Sequence, residues 1–261
     1  MASQWKRQEF RNWFRSSLNS RHQSLSYILS AALLVLGAAI FTCGQTPSKK
    51  QNDRPPELAP AVTVAGEASS GQSAIYTYEF SQPQFEITRV VVEHDSAGHG
   101  RVVLERLGES TPIIEPLEIS LPALSRITGL WQELRFLDSD TNYQSDKQFP
   151  HMGTVRLKMR EGSRMRAAEF NWTHNREASE LANEYRRLGD QAKFVFDITV
   201  ARENRPLDAP KLMDHLEIML NRSGLSDPQQ LIPLLRELKT DERIPLMARN
   251  RADRLLKKIQ K

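Results

Sequence analysis

The sequence predicts an α+β protein: a single N-terminal transmembrane helix, then an antiparallel sheet built from two β-hairpins with helices on one face, and a C-terminal segment of three helices. Three observations support this class. An uncharged apolar run occupies residues 25–43, paired segments with alternating apolar side chains fall between residues 84 and 172, and helical periodicity recurs from residue 121 onward. A hairpin with one apolar face needs helices against that face to bury it.

The apolar run has the length of a membrane span, and we assign residues 25–44 to a transmembrane helix. A helix of this length reaches about 30 Å, which matches the hydrocarbon thickness of a bilayer. Residues 1–24 form a basic arm with five Lys or Arg residues and one acidic residue, whereas fewer basic residues follow the span closely. The positive-inside rule therefore predicts a single-pass protein of the inner (cytoplasmic) membrane, with a cytoplasmic N-terminus and a periplasmic C-terminal domain.

Two alternatives to a plain membrane anchor arise from the same segment. A cleaved signal peptide is disfavoured, because its charged leader and apolar core are normally shorter. A lipoprotein signal is the second alternative, since residues 40–44 resemble a lipobox around Cys43, which would then be lipidated. Phe41 and Thr42 stand where such signals carry small residues, so an unmodified Cys43 is the main expectation. Cys43 is the only cysteine, which excludes an intramolecular disulfide.

A change of composition follows the span. Residues 45–74 are rich in Pro, Ser, Gly and Ala and lack helical or alternating periodicity, which predicts a disordered linker. A random coil of this length would hold the next domain on the order of 30 Å from the bilayer.

The basic arm also accounts for the net charge. The formal charge is +4, from 36 Lys and Arg against 32 Asp and Glu, and residues 1–24 contribute an excess of four. The remainder is nearly neutral, so the pI near 9.2 does not indicate nucleic-acid binding and no nucleic-acid partner is expected.

Residues 75–203 are predicted as the α+β domain. Strands are expected over 75–80, 84–93 and 101–107, with the last two joined by a turn at 94–100 to form the first hairpin.

The second half of this domain repeats the pattern. Ser120 is expected to cap a helix that runs to Leu134, and a second hairpin is expected over 154–172. A second amphipathic helix starts near residue 178 and is expected to continue to 201, with Gly189 as a site for a bend.

Residues 207–261 are predicted as three C-terminal helices. The last two, over 231–259, resemble a single HEAT-type helical pair with an acidic turn at 241–243. HEAT solenoids need several repeats to bury a continuous core, so the resemblance implies at most protein binding. A helical cap with no partner is the alternative.

The hairpin–helix–hairpin–helix order is similar to that of small exported bacterial domains of unknown function. The segments FLDS, FNWT and AREN, at residues 136–139, 170–173 and 201–204, resemble recurring signatures of uncharacterised, single-pass, membrane-anchored bacterial proteins. This resemblance covers residues 75–261 and implies an exported α+β domain, but it carries no activity.

The first hairpin tip is the candidate site for chemistry. His94 and His99 flank the turn with Asp95 between them, and His151 lies in a separate polar loop. Imidazoles and a carboxylate that converge can hold a metal ion, so His94, His99 and His151 are candidate metal ligands, although their spacing fits no named zinc motif. Direct pairing of His94 with His99 across the hairpin is the structural alternative.

No other motif indicates catalysis or a cofactor, because the sequence has neither a nucleophile elbow nor a phosphate-binding loop after a strand. A basic ribbon is predicted on the exposed face of the second hairpin, formed by Arg156, Lys158, Arg160, Arg164 and Arg166. Such a ribbon suits an acidic partner or simply a solvated sheet face.

These features favour a membrane-tethered, non-enzymatic binding or scaffolding protein of the bacterial cell envelope, with the lipid bilayer and another envelope protein as partners and no cofactor. The alternative is a metal-binding or metal-dependent hydrolytic domain centred on His94 and His99.

Overall fold

The structure, a computed structural model, describes residues 73–261. The predicted basic arm at 1–24, the transmembrane helix at 25–44 with Cys43, and the linker up to residue 72 lie outside the described residues. Within residues 73–261, no helix combines the length and apolarity needed to cross a bilayer.

The described part contains a six-stranded sheet in which every neighbouring pair is antiparallel. The spatial order is β4-β3-β2-β1-β5-β6. The strands are β1 (Ile75–Ser81), β2 (Ile87–Asp95), β3 (His99–Arg106), β4 (Ile113–Glu118), β5 (Thr154–Glu161) and β6 (Arg164–Phe170). The α+β class with an antiparallel sheet is therefore confirmed.

The sheet is larger than the two predicted hairpins, because it also contains β4, which the sequence did not predict. β1 to β4 form a four-stranded meander, and β5 pairs with the other side of β1 before turning into β6. Pro116 in the middle of β4 argues against a strand, since proline cannot donate to a hydrogen-bond ladder. β4 is an edge strand, where one side of the backbone has no neighbour and proline is tolerated.

Five α-helices complete the described chain. They are α1 (Leu121–Glu133), α2 (Arg176–Asn204), α3 (Ala209–Asn221), α4 (Ile232–Leu238) and α5 (Leu246–Ile259). The predicted extension of the second helix is confirmed, since α2 runs through Gly189 without interruption. Asn175 is the N-cap of α2, because its side-chain oxygen accepts a hydrogen bond from the Ala178 N–H at 2.7 Å.

The helices α1 and the first half of α2 cover one face of the sheet. Tyr76, Tyr78 and Val92 point to that face and are buried against Ile127 and Leu181. We call this the sheet core. Burial of these large side chains, at about 1.5–3 kcal/mol each, is the main force that holds the layers together.

A second core lies among the C-terminal helices. Phe194 and Ile198, on the second half of α2, are buried with Leu216 of α3, Leu235 of α4 and Leu255 of α5. We call this the helical core. The three predicted C-terminal helices are present, and α2 supplies a fourth wall for them.

Candidate functional site

The sheet face opposite α1 and α2 is not covered by any described helix; we call it the open face. Strand alternation directs Ile75, Thr77 and Glu79 of β1 to it, whereas Tyr76 and Tyr78 point to the sheet core. No side chain on this face reaches the burial of the core residues on the other face.

Most charges on the open face are paired across strands. Arg89 donates to Glu79 at 2.6 Å and to Glu105 at 2.7 Å, which joins β1, β2 and β3. Arg101 pairs with Glu93 at 3.1 Å in the same way. These pairs neutralise the middle of the face and stabilise the strand register.

Two cations near the β6 side differ from the rest. The side chains of Lys158 and Arg160 on β5 have no ion pair or hydrogen bond with any described residue, although the side chain of Arg156 on the same strand pairs with Glu169 at 3.3 Å. Lys158 lies between Thr77 and Ala167 in the strand register, and Arg160 lies between Ile75 and Met165.

We call this group the cationic corner: Ile75, Thr77, Lys158, Arg160, Met165 and Ala167. Met165 is 62% exposed, so an apolar side chain borders the two uncompensated charges. An exposed apolar side chain beside charge of one sign suits a partner surface that carries the opposite charge next to apolar groups.

The predicted basic ribbon is only partly correct, because Arg164 and Arg166 lie on the other face of the sheet. Arg166 stacks over the rings of Phe136 and Tyr143, at 4.7 and 5.4 Å from their centroids. Its guanidinium also donates to the Phe136 and Thr141 carbonyl oxygens at 2.7 Å.

The turn between β5 and β6 explains this difference. It contains only Gly162 and Ser163, so Glu161 pairs with Arg164 and Arg160 pairs with Met165. Met165 therefore shares the face of Arg160, while Arg164 pairs with Asp138 on the helix side. The alternation within each strand does not specify the register between them, and a shift of one residue exchanges the faces.

His94 is a buried hydrogen-bonded residue of the sheet core. It is 1% exposed and stacks on Tyr76 with ring centroids 5.1 Å apart. Its Nδ1 lies 2.7 Å from the Asp95 carbonyl oxygen and its Nε2 lies 2.8 Å from the Tyr185 hydroxyl. Both ring nitrogens thus have protein partners, which leaves no lone pair free for a metal ion.

The structure does not bring the three candidate metal ligands together. His94 points to the sheet core, whereas His99, with its side chain 70% exposed, points to the open face and lies 3.9 Å from Asp95. His151 lies near the opposite end of β1, where its carbonyl oxygen accepts a hydrogen bond from Gln82 at 2.9 Å. That end is roughly 20 Å from His94 at about 3.3 Å per strand residue.

Among residues 73–261, no group of three or more His, Cys, Asp or Glu side chains is placed to hold a metal ion. His94 pairs with Tyr76 of β1 and Gly100 of β3 rather than with His99.

A shallow cleft of about 180 Å³ lies between β4 and α2. Gln191 and Gln230 close one side of it, and their amides are hydrogen-bonded to each other at 3.2 Å. Gln230 also donates to the Glu118 carbonyl oxygen at 3.0 Å, which fastens β4 to the segment before α4. The polar groups here are hydrogen-bonded to each other or to the backbone, so the residues of the cleft connect the two cores.

No protein-family profile and no curated protein matches this chain.

Proposed function

We propose that this chain is a membrane-tethered, non-enzymatic binding protein of the bacterial cell envelope, and that it binds another envelope protein through the cationic corner. The observation that carries the proposal is the lack of any described ionic partner for Lys158 and Arg160, on a face whose other arginines are paired. An acidic surface on a partner would supply the missing carboxylates.

The surroundings of the two cations support a contact with protein. Thr77 and Ala167 are small and Met165 is flexible and apolar, so a partner can approach the sheet closely beside Lys158. Complementary charge raises the association rate and orients the partner, while exposed apolar area supplies affinity.

The predicted anchor supports the same proposal from the other end of the chain. A membrane span at 25–44 and a linker up to residue 74 would confine the domain to a layer on the order of 30 Å beside the bilayer. Confinement of this kind raises the effective concentration toward other membrane proteins, so a weak contact becomes sufficient.

Site-specific photo-crosslinking in native cells tests the proposal. A photoreactive amino acid replaces Met165 in the full-length chain, and the control position is Ser125, which is exposed on α1 on the covered side of the sheet. We expect one adduct of discrete mass from position 165 and none from position 125.

Charge variants sharpen this test. Lys158→Glu with Arg160→Glu should reduce the adduct at least tenfold. Lys211→Glu with Arg222→Glu makes the same change in net charge at exposed residues of the C-terminal helices and should leave the adduct unchanged. Equal adducts at positions 125 and 165, or an adduct that survives the first double variant, would contradict the proposal.

A further inference from the structure

The outer edge of β6 is an unpaired sheet edge. β6 pairs with β5 alone, and no described residue forms a hydrogen bond with the backbone of residues 164–169 on the other side. The two-residue turn makes Glu161 and Arg164 the closing pair of the hairpin, which normally exchanges both backbone hydrogen bonds. By alternation, Met165, Ala167 and Glu169 direct their N–H and C=O groups away from β5.

The two edges of the sheet differ in how they are protected. At the other edge, β4 contains Pro116, which removes a donor and hinders pairing with a further strand. β6 contains no proline. Its unpaired stretch ends after residue 169, because the chain beyond it is held by a hydrogen bond from the Ser145 N–H to the Trp172 carbonyl oxygen at 2.9 Å. Six residues, about 20 Å of strand, are open to a partner.

The side chains beside this edge define what could pair with it. A seventh strand would lie about 4.8 Å beyond β6 and about 9.6 Å from β5. Lys158 faces Ala167 in register, and the methyl group of alanine lets the lysine chain, about 6 Å long, extend across β6. A carboxylate on the added strand, in line with Ala167, is within its reach.

Arg160 repeats this arrangement one step along the sheet. It lies two residues from Lys158 on the same face and is paired in register with Met165 of β6. Two carboxylates at positions i and i+2 of an extended segment have the same spacing and direction as these two cations. The residue between them would point to the helix side of the sheet.

We infer that β6 accepts an acidic, extended segment of the partner protein as a seventh edge strand, with alternate carboxylates on Lys158 and Arg160. This inference rests on the proposed function, because it specifies how the cationic corner binds. Backbone hydrogen bonds to residues 165, 167 and 169 supply the affinity and the two ion pairs supply the selectivity.

Peptide binding to the full-length protein, purified in detergent, tests the inference. The probes are two fluorescein-labelled peptides, acetyl-TEVEVET-amide and acetyl-TKVKVKT-amide, and fluorescence anisotropy reports binding. We expect the acidic peptide to bind at least tenfold more tightly than the basic one. Lys158→Glu with Arg160→Glu should reverse that preference, and equal affinities for the two peptides would overturn the inference.

Backbone pairing is tested without altering the protein. Two N-methylated versions of the acidic peptide carry methyl groups on alternate residues, in one or the other register. Strand addition predicts that one version loses at least tenfold in affinity and that the other stays within about twofold, because only one set of N–H groups faces β6. Equal affinities of the two versions would overturn strand addition.

A variant pair locates the edge. Ala167→Pro removes an outward N–H and should weaken the acidic peptide at least tenfold, whereas Ala167→Ser keeps that N–H and should bind within twofold. Far-ultraviolet circular dichroism checks that both variants fold. If the proline variant does not fold, the two N-methylated peptides alone test whether the backbone of β6 pairs with the peptide. If these peptide tests fail while the photo-crosslinked adduct at position 165 is still observed, the cationic corner remains the binding face and only strand addition is overturned.

Discussion

The hydroxyl of Tyr185 on α2 lies 2.9 Å from the indole nitrogen of Trp131 on α1. The indole N–H can only donate, so the hydroxyl oxygen accepts from Trp131 and its own hydrogen is directed to Nε2 of His94, 2.8 Å away. Nδ1–H of His94 then donates to the Asp95 carbonyl oxygen. One phenol thus links both helices of the sheet core to β2, and every polar group in the chain of bonds is satisfied.

Tyr185→Phe should lower the free energy of unfolding by about 2–4 kcal/mol, because it leaves Trp131 N–H and His94 Nε2 buried without a partner. Tyr143→Phe is the matched control, since the Tyr143 hydroxyl is buried with no described hydrogen-bond partner. The control should cost less than about 0.5 kcal/mol. Urea unfolding followed by tryptophan fluorescence gives both values, and equal losses would mean that the hydrogen-bonded chain contributes little.

Asp190→Asn should stabilise the protein at pH 7.5, by on the order of 1–2 kcal/mol. Burial raises the pKa of Asp190 to about 6, although Arg186 and Lys193 oppose this. A folded-state pKa above the unfolded value means that the charged carboxylate destabilises the fold, so stability is greatest below the unfolded pKa and falls as pH rises through about 6. Urea midpoints at pH 4 and 7.5 check this: the gain should vanish at pH 4.

His94 should make the protein sensitive to acid. Burial lowers the pKa of His94, so its contribution to stability is complete above the unfolded value of 6.5 and is lost as pH falls through the lower, folded-state value. Unfolding between pH 8 and 5 measures the effect best in the Asp190→Asn background, which removes the opposing carboxylate.

The comparison variant for this measurement adds His94→Gln to Asp190→Asn. It should be less stable at pH 8, but its stability should fall less steeply on acidification, by up to about 1.4 kcal/mol per pH unit for one proton. Identical slopes with and without His94 would show that another group carries the acid response.

Asp241→Asn should lower the free energy of unfolding by about 1–3 kcal/mol. Its side chain is 6% exposed and accepts from Arg243 at 2.8 and 2.9 Å and from Arg202 of α2 at 2.8 Å. Hydrogen bonds from Arg243 foremost, then from Arg202, hold the pKa of Asp241 well below its usual value of 3.8. The contribution is therefore present above pH 3.8 and is lost on further acidification.

Asp253→Asn is the matched control for Asp241, because Asp253 pairs with the exposed Lys257 on the same helix. Exposed pairs of this kind are screened by water, so the loss should be much smaller than the loss for Asp241→Asn. Thermal unfolding of both variants at pH 7 makes the comparison, and a larger loss for Asp253 would contradict the assignment of the Asp241 contacts.

The regular elements of the described domain were predictable because each carries its own periodicity. The alternation of Val155, Leu157 and Met159 and the spacing of Leu181, Tyr185 and Leu188 are visible without knowledge of the fold. β4 was missed because Pro116 lowers the strand signal, and only the sheet edge makes that residue acceptable.

The candidate site was less predictable, because it depends on register between strands. The sequence identifies Lys158 and Arg160 as exposed cations, but Met165 and Ala167 join them only through the two-residue turn. The Gly162–Ser163 turn is the sequence signal for this pairing, because a two-residue turn fixes which residues of the two strands lie opposite each other. The sequence made His94 a candidate metal ligand because it does not show that both ring nitrogens are already hydrogen-bonded. One of the partners, Tyr185, lies 91 positions away in the chain, and the other is Asp95.

The helix α2 belongs to both cores, with Tyr185 in one and Phe194 in the other. Unwinding this shared helix exposes apolar surface in both cores at once, so we expect the two halves of the domain to unfold together. Calorimetry should accordingly record a single heat-absorption peak. Any force that reaches the sheet from a bound partner would be transmitted along the same helix to the C-terminal helices.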